Sequence, residues 1–217
     1  MEQLIQTITI YALPVIFAIT LHEAAHGYVA RHFGDLTAYA QGRISLNPLR
    51  HIDPVGTIIV PVAILVLSRL AGAGGFLFGW AKPVPVNFAN LRNPKRDMLW
   101  VAAAGPGINI AMALGWALFL KLQLVAGSGE EFFAAMAQAG IDINISLAVL
   151  NLLPLPPLDG GRIVTSLLPN RLAWRFAQLE RWGFPILLLL LMTGVLGRVL
   201  LPAMILLQSL IEGLFGL

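Results

Sequence analysis

The chain has 217 residues, 58% of them hydrophobic and only 12% charged, with a mean hydropathy of +0.80. Soluble domains carry about 25% charged residues, so a soluble globular enzyme is excluded and a polytopic membrane protein is expected, with the lipid bilayer as its first partner. The chain has no cysteine, which excludes disulfides and thiolate metal sites. The net charge of +3 is ascribed to membrane orientation, so no nucleic acid is expected as a partner.

In chain order, residues 3–33 read as one long helix kinked at Pro14, ended by Gly34-Asp35. The N-terminus shows no basic stretch or small-residue cleavage site, so this first apolar segment is expected to remain as a span. Residues 40–46 carry short alternation with a glycine, a weak strand or hairpin signal. A second span is expected over 55–70. The glycine-rich stretch 71–81 is too short to cross, since crossing takes about 20 residues, and reads as a re-entrant or extended return. A polar loop follows, with Pro83 and Pro85 holding its start extended. Spans three and four are expected over 98–125 and 132–153. After the fourth, Pro154, Pro156 and Pro157 rule out a regular helix. Irregular backbone at membrane depth is tolerated only when buried in protein or lining a cavity. The last apolar region, 184–217, has room for two helices broken near 194–198. The fold class expected is therefore all-α and polytopic. It has about five to six transmembrane helices and a re-entrant or short β-hairpin element near the site. Residues 1–217 form one membrane-embedded unit, with a catalytic core over about 1–168 and C-terminal helices over about 176–217.

Eleven of the 14 Lys and Arg fall in three loops: Arg31, Arg43 and Arg50; Lys82, Arg92, Lys95 and Arg96; Arg162, Arg171, Arg175 and Arg181. The positive-inside rule makes those loops cytoplasmic and the N-terminus external. This assignment needs 71–81 to bring the chain back to the cytoplasmic side.

The first helix carries Leu21-His22-Glu23-Ala24-Ala25-His26, an H-E-x-x-H pattern, in its last third. Positions four apart share a helix face, so His22 and His26 can direct imidazole nitrogens to one metal ion. Glu23 lies beside them as a candidate general base, the arrangement of zinc metalloproteases. Three ionisable groups next to an apolar run are costly and mark a functional site. Zinc then needs one further protein ligand. Among five Asp, Asp142 falls toward the outer end of the fourth span, and Asp35, Asp53 and Asp97 lie in or beside polar loops. Asp159 lies in the broken segment at the depth of the His pair, although an Asp before Gly-Gly is also a common turn residue. Position leaves both Asp159 and Glu180 open as the third ligand.

The segments HEAAHGYVA (22–30), AAAGPGIN (102–109) and NLLPLPPLDGGR (151–162) resemble the site-2 protease family of intramembrane zinc metalloproteases. GRISLNPLRHIDPVGT and GWAKPVPVN are similar to its compact bacterial members without a PDZ domain. The resemblance covers residues 20 to about 168. It implies one Zn2+ held by His22, His26 and Asp159, with Glu23 as the base. It also implies that Asn109 and Asn151 contact substrate or the oxyanion, and that an edge strand near 42–46 pairs with extended substrate. The separation of His26 from Asp159 is long for the family, with residues 72–87 inserted between them.

The function expected is that of an intramembrane zinc endopeptidase in the inner (cytoplasmic) membrane. It would cut transmembrane segments of membrane-protein substrates, with its site toward the cytoplasmic side. The alternative is a membrane metal transporter using the same His and Asp residues. A transporter has little use for Glu23.

Overall fold

A computed structural model describes residues 2–60, 63, 81–127 and 130–217. Four long helices dominate it: α1 (Glu2–His32), then, after the single turn α2 (Thr37–Ala40), α3 (Pro94–Ala126) and α4 (Glu131–Asn151). Three shorter helices, α5 (Asp159–Leu167), α6 (Asn170–Ala177) and α7 (Glu180–Met192), lead to the fourth long one, α8 (Val195–Phe215). Four of the described helices are long and apolar enough to cross a bilayer: α1 from Ile5, α3, α4 and α8. At 1.5 Å per residue α7 reaches only about 20 Å, short of a hydrocarbon core. The protein is thus all-helical among its described residues and a multi-pass membrane protein.

The interior is built from small side chains. Ala18, Ala24, Ala102, Ala113, Ala117, Ala137, Ala139 and Ala148 are all buried. They let α1, α3 and α4 pack against one another in a three-helix unit. Close backbone approach is the main source of helix association in lipid, where burying large apolar groups gains little. Trp116 lies against Gly140, where an added Cβ would come within 2.4 Å of the indole. Ala113, Ala117, Ile141, Ile145 and Ile211 then join α3, α4 and α8 in one cluster. The large apolar side chains face outward: Ile5, Leu122, Val125, Met192 and Leu214 are all more than half exposed, as a lipid-facing surface requires.

One expected element differs from what forms. Residues 40–46 hold no strand; the chain makes the turn α2, reverses at Gly42 with φ of 61°, and continues irregularly. The physical reason is that the carbonyls a ladder would use are taken. Gly42 O accepts from the Arg50 guanidinium, and Ser45 O from His51 Nε2. No strand occurs elsewhere among the described residues. The expected second span, 55–70, begins as a helix over Pro54–Ile59, with residues 55–60 and 63 described; its remainder, and all of the glycine-rich return 71–81 except Ala81, lie outside the described residues. The break expected near 194–198 falls at Thr193-Gly194, where Gly194 takes φ of 71° between α7 and α8.

Candidate metal centre

The helix carrying His22 and His26 packs on α3, and α5 packs on α3 as well. The two imidazoles and the Asp159 carboxylate meet between these three helices. His22 Nε2 lies 3.1 Å from His26 Nε2. Asp159 Oδ2 lies 3.2 Å from the first and 3.3 Å from the second. All three side chains are buried, at 8 to 9% exposure. Tetrahedral zinc with bonds of about 2.0–2.2 Å sets its ligand atoms about 3.3–3.5 Å apart, so the triangle has the size the ion needs.

The polar partners of the triangle point to the same conclusion. His22 Nδ1 donates to Asn109 Oδ1 at 2.6 Å, and His26 Nδ1 donates to the Val101 carbonyl at 2.7 Å. Both acceptors lack a hydrogen to offer, so each neutral ring carries its proton on Nδ1 and turns the Nε2 lone pair inward. Asp159 Oδ2 is buried with no hydrogen-bond donor to it. Three acceptor atoms therefore converge, an arrangement that repels itself unless a cation sits among them. Metal-ligating His usually donates its other N–H to such a fixed oxygen. His22, His26 and Asp159 form the potential metal-binding group of this chain, and they fit zinc.

The local sequence explains how the three residues reach one point. On α3, Gly105 lies under both rings: a Cβ there would come within 2.5 Å of His22 Cε1 and of His26 Nε2. Pro106, one residue on, lacks the N–H that would bond to Ala102 O and so loosens the ladder beside Val101. Asp159 opens α5, where a carboxylate is favoured by the helix dipole. Its place is set by Gly160 and Gly161, which lie directly on the broken segment. A Cβ on Gly160 would come within 2.2 Å of Leu152 O, and one on Gly161 within 2.3 Å of Pro156 N.

Asn109 is fully buried and both of its amide hydrogens are committed, to Ala18 O at 3.2 Å and Asn144 Oδ1 at 2.9 Å. Asn144 is also fully buried and donates to Gly140 O at 2.8 Å. A chain of oriented amides thus runs from α4 through α3 to His22. Asn144 escaped the sequence reading; an Asn within an apolar span was its only signal. Asn151 ends α4, half-buried, with one hydrogen bonded to Leu147 O at 3.0 Å. Glu180, the rival carboxylate, opens α7 and is exposed. Glu23 is half-buried next to His22, and its Oε2 accepts from the Val84 backbone N–H at 2.7 Å.

Comparison with known proteins agrees with this chemistry. Residues 124–194, which include all of α4 and Asp159, match the model of peptidase family M50. The chain is 40% identical over 199 residues to the "Putative zinc metalloprotease YwhC" of Bacillus subtilis (strain 168), covering 88% of this chain and 83% of that protein. It is 29% identical over 183 residues to a Mycolicibacterium smegmatis protein with the same designation under the name Rip2, covering 84% of this chain and 66% of that protein. The Rip2 of Mycobacterium tuberculosis is 29% identical over 150 residues, with 66% and 51% covered. No solved structure matches the chain. The chain belongs to peptidase family M50, the site-2 protease family, and is a membrane zinc metalloprotease.

Proposed function

We propose that this metalloprotease is an intramembrane endopeptidase that cuts transmembrane segments of membrane-protein substrates near the cytoplasmic face of the inner membrane. The observation that carries the reading is the buried triangle of His22, His26 and Asp159, part of which lies on a helix apolar enough to span the bilayer. The basic loops around it support a cytoplasmic site, since Arg31, Arg92, Lys95, Arg96 and Arg175 are all exposed. Residues 1–217 act as a single unit, with a catalytic core over about 1–168 and C-terminal helices over about 176–217. On this reading the chain has about five to six spans, the described four among them.

His22, His26 and Asp159 are the ligands of one zinc ion. When bound, that ion supplies Lewis acidity toward the scissile carbonyl and toward water. Glu23 takes the proton of the attacking water and returns it to the leaving amine. Asn109 holds the His22 ring and its tautomer; with both hydrogens committed, it acts through that ring. Asn151 keeps one amide hydrogen for a developing oxyanion. The substrate helix has to unwind locally, because its own hydrogen bonds shield each peptide bond.

The test is reconstitution in liposomes with a single-span substrate, followed by mass measurement of the products. The expected cut lies within the apolar segment, toward its cytoplasmic end. Cuts confined to loops outside the bilayer would overturn the intramembrane reading.

A further inference from the structure

Residues 82–86 read Lys-Pro-Val-Pro-Val. Proline has no N–H, so the run Pro83-Val84-Pro85 offers a single backbone donor, that of Val84. This donor goes to Glu23 Oε2, 2.7 Å away and 61 residues distant in sequence. The residues before the two prolines are restricted to extended backbone, so the segment reaches the site in a fixed shape. Two further elements hold it there. Its N-terminal end is tied by Lys82 N–H to His51 O at 2.9 Å. Its carbonyls are gripped by Arg43, whose Nη2 donates to Lys82 O at 2.9 Å and to Pro83 O at 3.3 Å. Arg43 is only 9% exposed, and its Nε has no partner. Burying a guanidinium is expensive, and here its hydrogen bonds go to two strap carbonyls rather than to a carboxylate. Val84 itself is 7% exposed and packs toward Gly27, on the same helix as Glu23.

We infer that residues 82–84, clamped by Arg43, form a positioning strap that fixes the Glu23 carboxylate through the Val84 N–H. A Glu side chain has three rotatable bonds and needs a fixed partner to present one oxygen reproducibly. The charge-assisted bond to Oε2 supplies it and leaves Oε1 for proton transfer. Arg43 is thus a positioning residue, acting through the strap. The inference rests on Glu23 being the base.

Two readouts test it on the full-length zinc-loaded enzyme. In Arg43→Gln, kcat should fall about 10- to 100-fold, the cost of a misplaced catalytic group, with KM within about twofold and bound zinc unchanged. Arg43→Lys, which keeps one donor head, should recover part of kcat. Independently, hydrogen exchange in residues 83–86 reports only Val84 and Val86, because the two prolines carry no amide. Val84 exchange should be slow in the wild type and in Glu23→Gln, whose side-chain oxygen still accepts. It should be fast in Glu23→Ala and in Arg43→Gln. Wild-type kcat in Arg43→Gln, or Val84 exchange that ignores Glu23→Ala, overturns the strap. If Glu23→Gln itself keeps full turnover, the base assignment falls instead, and the exchange result still decides whether the strap binds Glu23.

Discussion

Gly105 is the residue on which the His pair depends most directly. Its missing side chain is the space both imidazoles occupy, so a methyl group there must displace one ring or part α1 from α3. Gly105→Ala should lower zinc affinity at least 10-fold, as loss of an outer-shell support does, measured by competition with a chelator. Asn109→Leu should lower it by about 10- to 100-fold, since it removes the acceptor that orients His22. Asn144→Ala, one step further out, should cost less. The sequence carried these residues unequally. His22, Glu23 and His26 announced themselves by spacing alone. Asp159 needed the family resemblance, because spacing cannot say which of several carboxylates a fold brings to the His pair. Val101 was illegible: its contribution is a backbone carbonyl, which any residue type supplies. Asn144 was hidden because a lone amide in a span also serves ordinary helix packing.

At the scale of elements, the C-terminal end of α1 is fastened by Asp35. This carboxylate is fully buried and accepts from the Thr37 N–H and hydroxyl, the Asn87 N–H and the Asn90 amide. Through these bonds the end of α1 is joined to the short turn Phe88–Asn90, which leads into α3. Burial pushes the Asp35 carboxyl up, but the hydrogen bonds from Thr37, Asn87 and Asn90 outweigh it and hold it below its ordinary value. A carboxyl lowered on folding contributes stability above its unfolded pKa of about 3.9 and loses it as pH falls through the folded value. Asp35→Asn should therefore destabilise the protein by about 1–3 kcal/mol near neutral pH. The gap to wild type should close as pH drops below about 4, followed by thermal unfolding in detergent. The same neighbourhood shows why 40–46 misled: a two-residue alternation around a glycine fits a strand and a turn equally well. Side-chain donors from Arg50 and His51 settled it by taking the carbonyls.

At the scale of the whole molecule, the candidate metal site is a crosslink. The residues that could hold the ion come from α1 and α5, which are separated by more than a hundred residues and both pack on α3. An ion bound to the folded state alone stabilises it by about 2.7 kcal/mol when present at a hundredfold excess over Kd. Chelation should accordingly lower the melting temperature by about 5–10 °C, and added zinc should restore it. A similar loss in Asp159→Ala, no longer responsive to zinc, would tie the effect to this site. The long helices were readable because each is an uninterrupted apolar run of about 20 residues or more. Their packing was not, since it depends on small residues whose partners lie far away in sequence.

The most direct measurement is bound zinc and turnover, determined together, in purified Glu23→Gln beside wild type. With His22, His26 and Asp159 intact, the variant should retain its zinc while turnover falls about 10²- to 10⁴-fold, the usual worth of a general base. Wild-type turnover with zinc retained would contradict the assignment of Glu23 and the mechanism built on it.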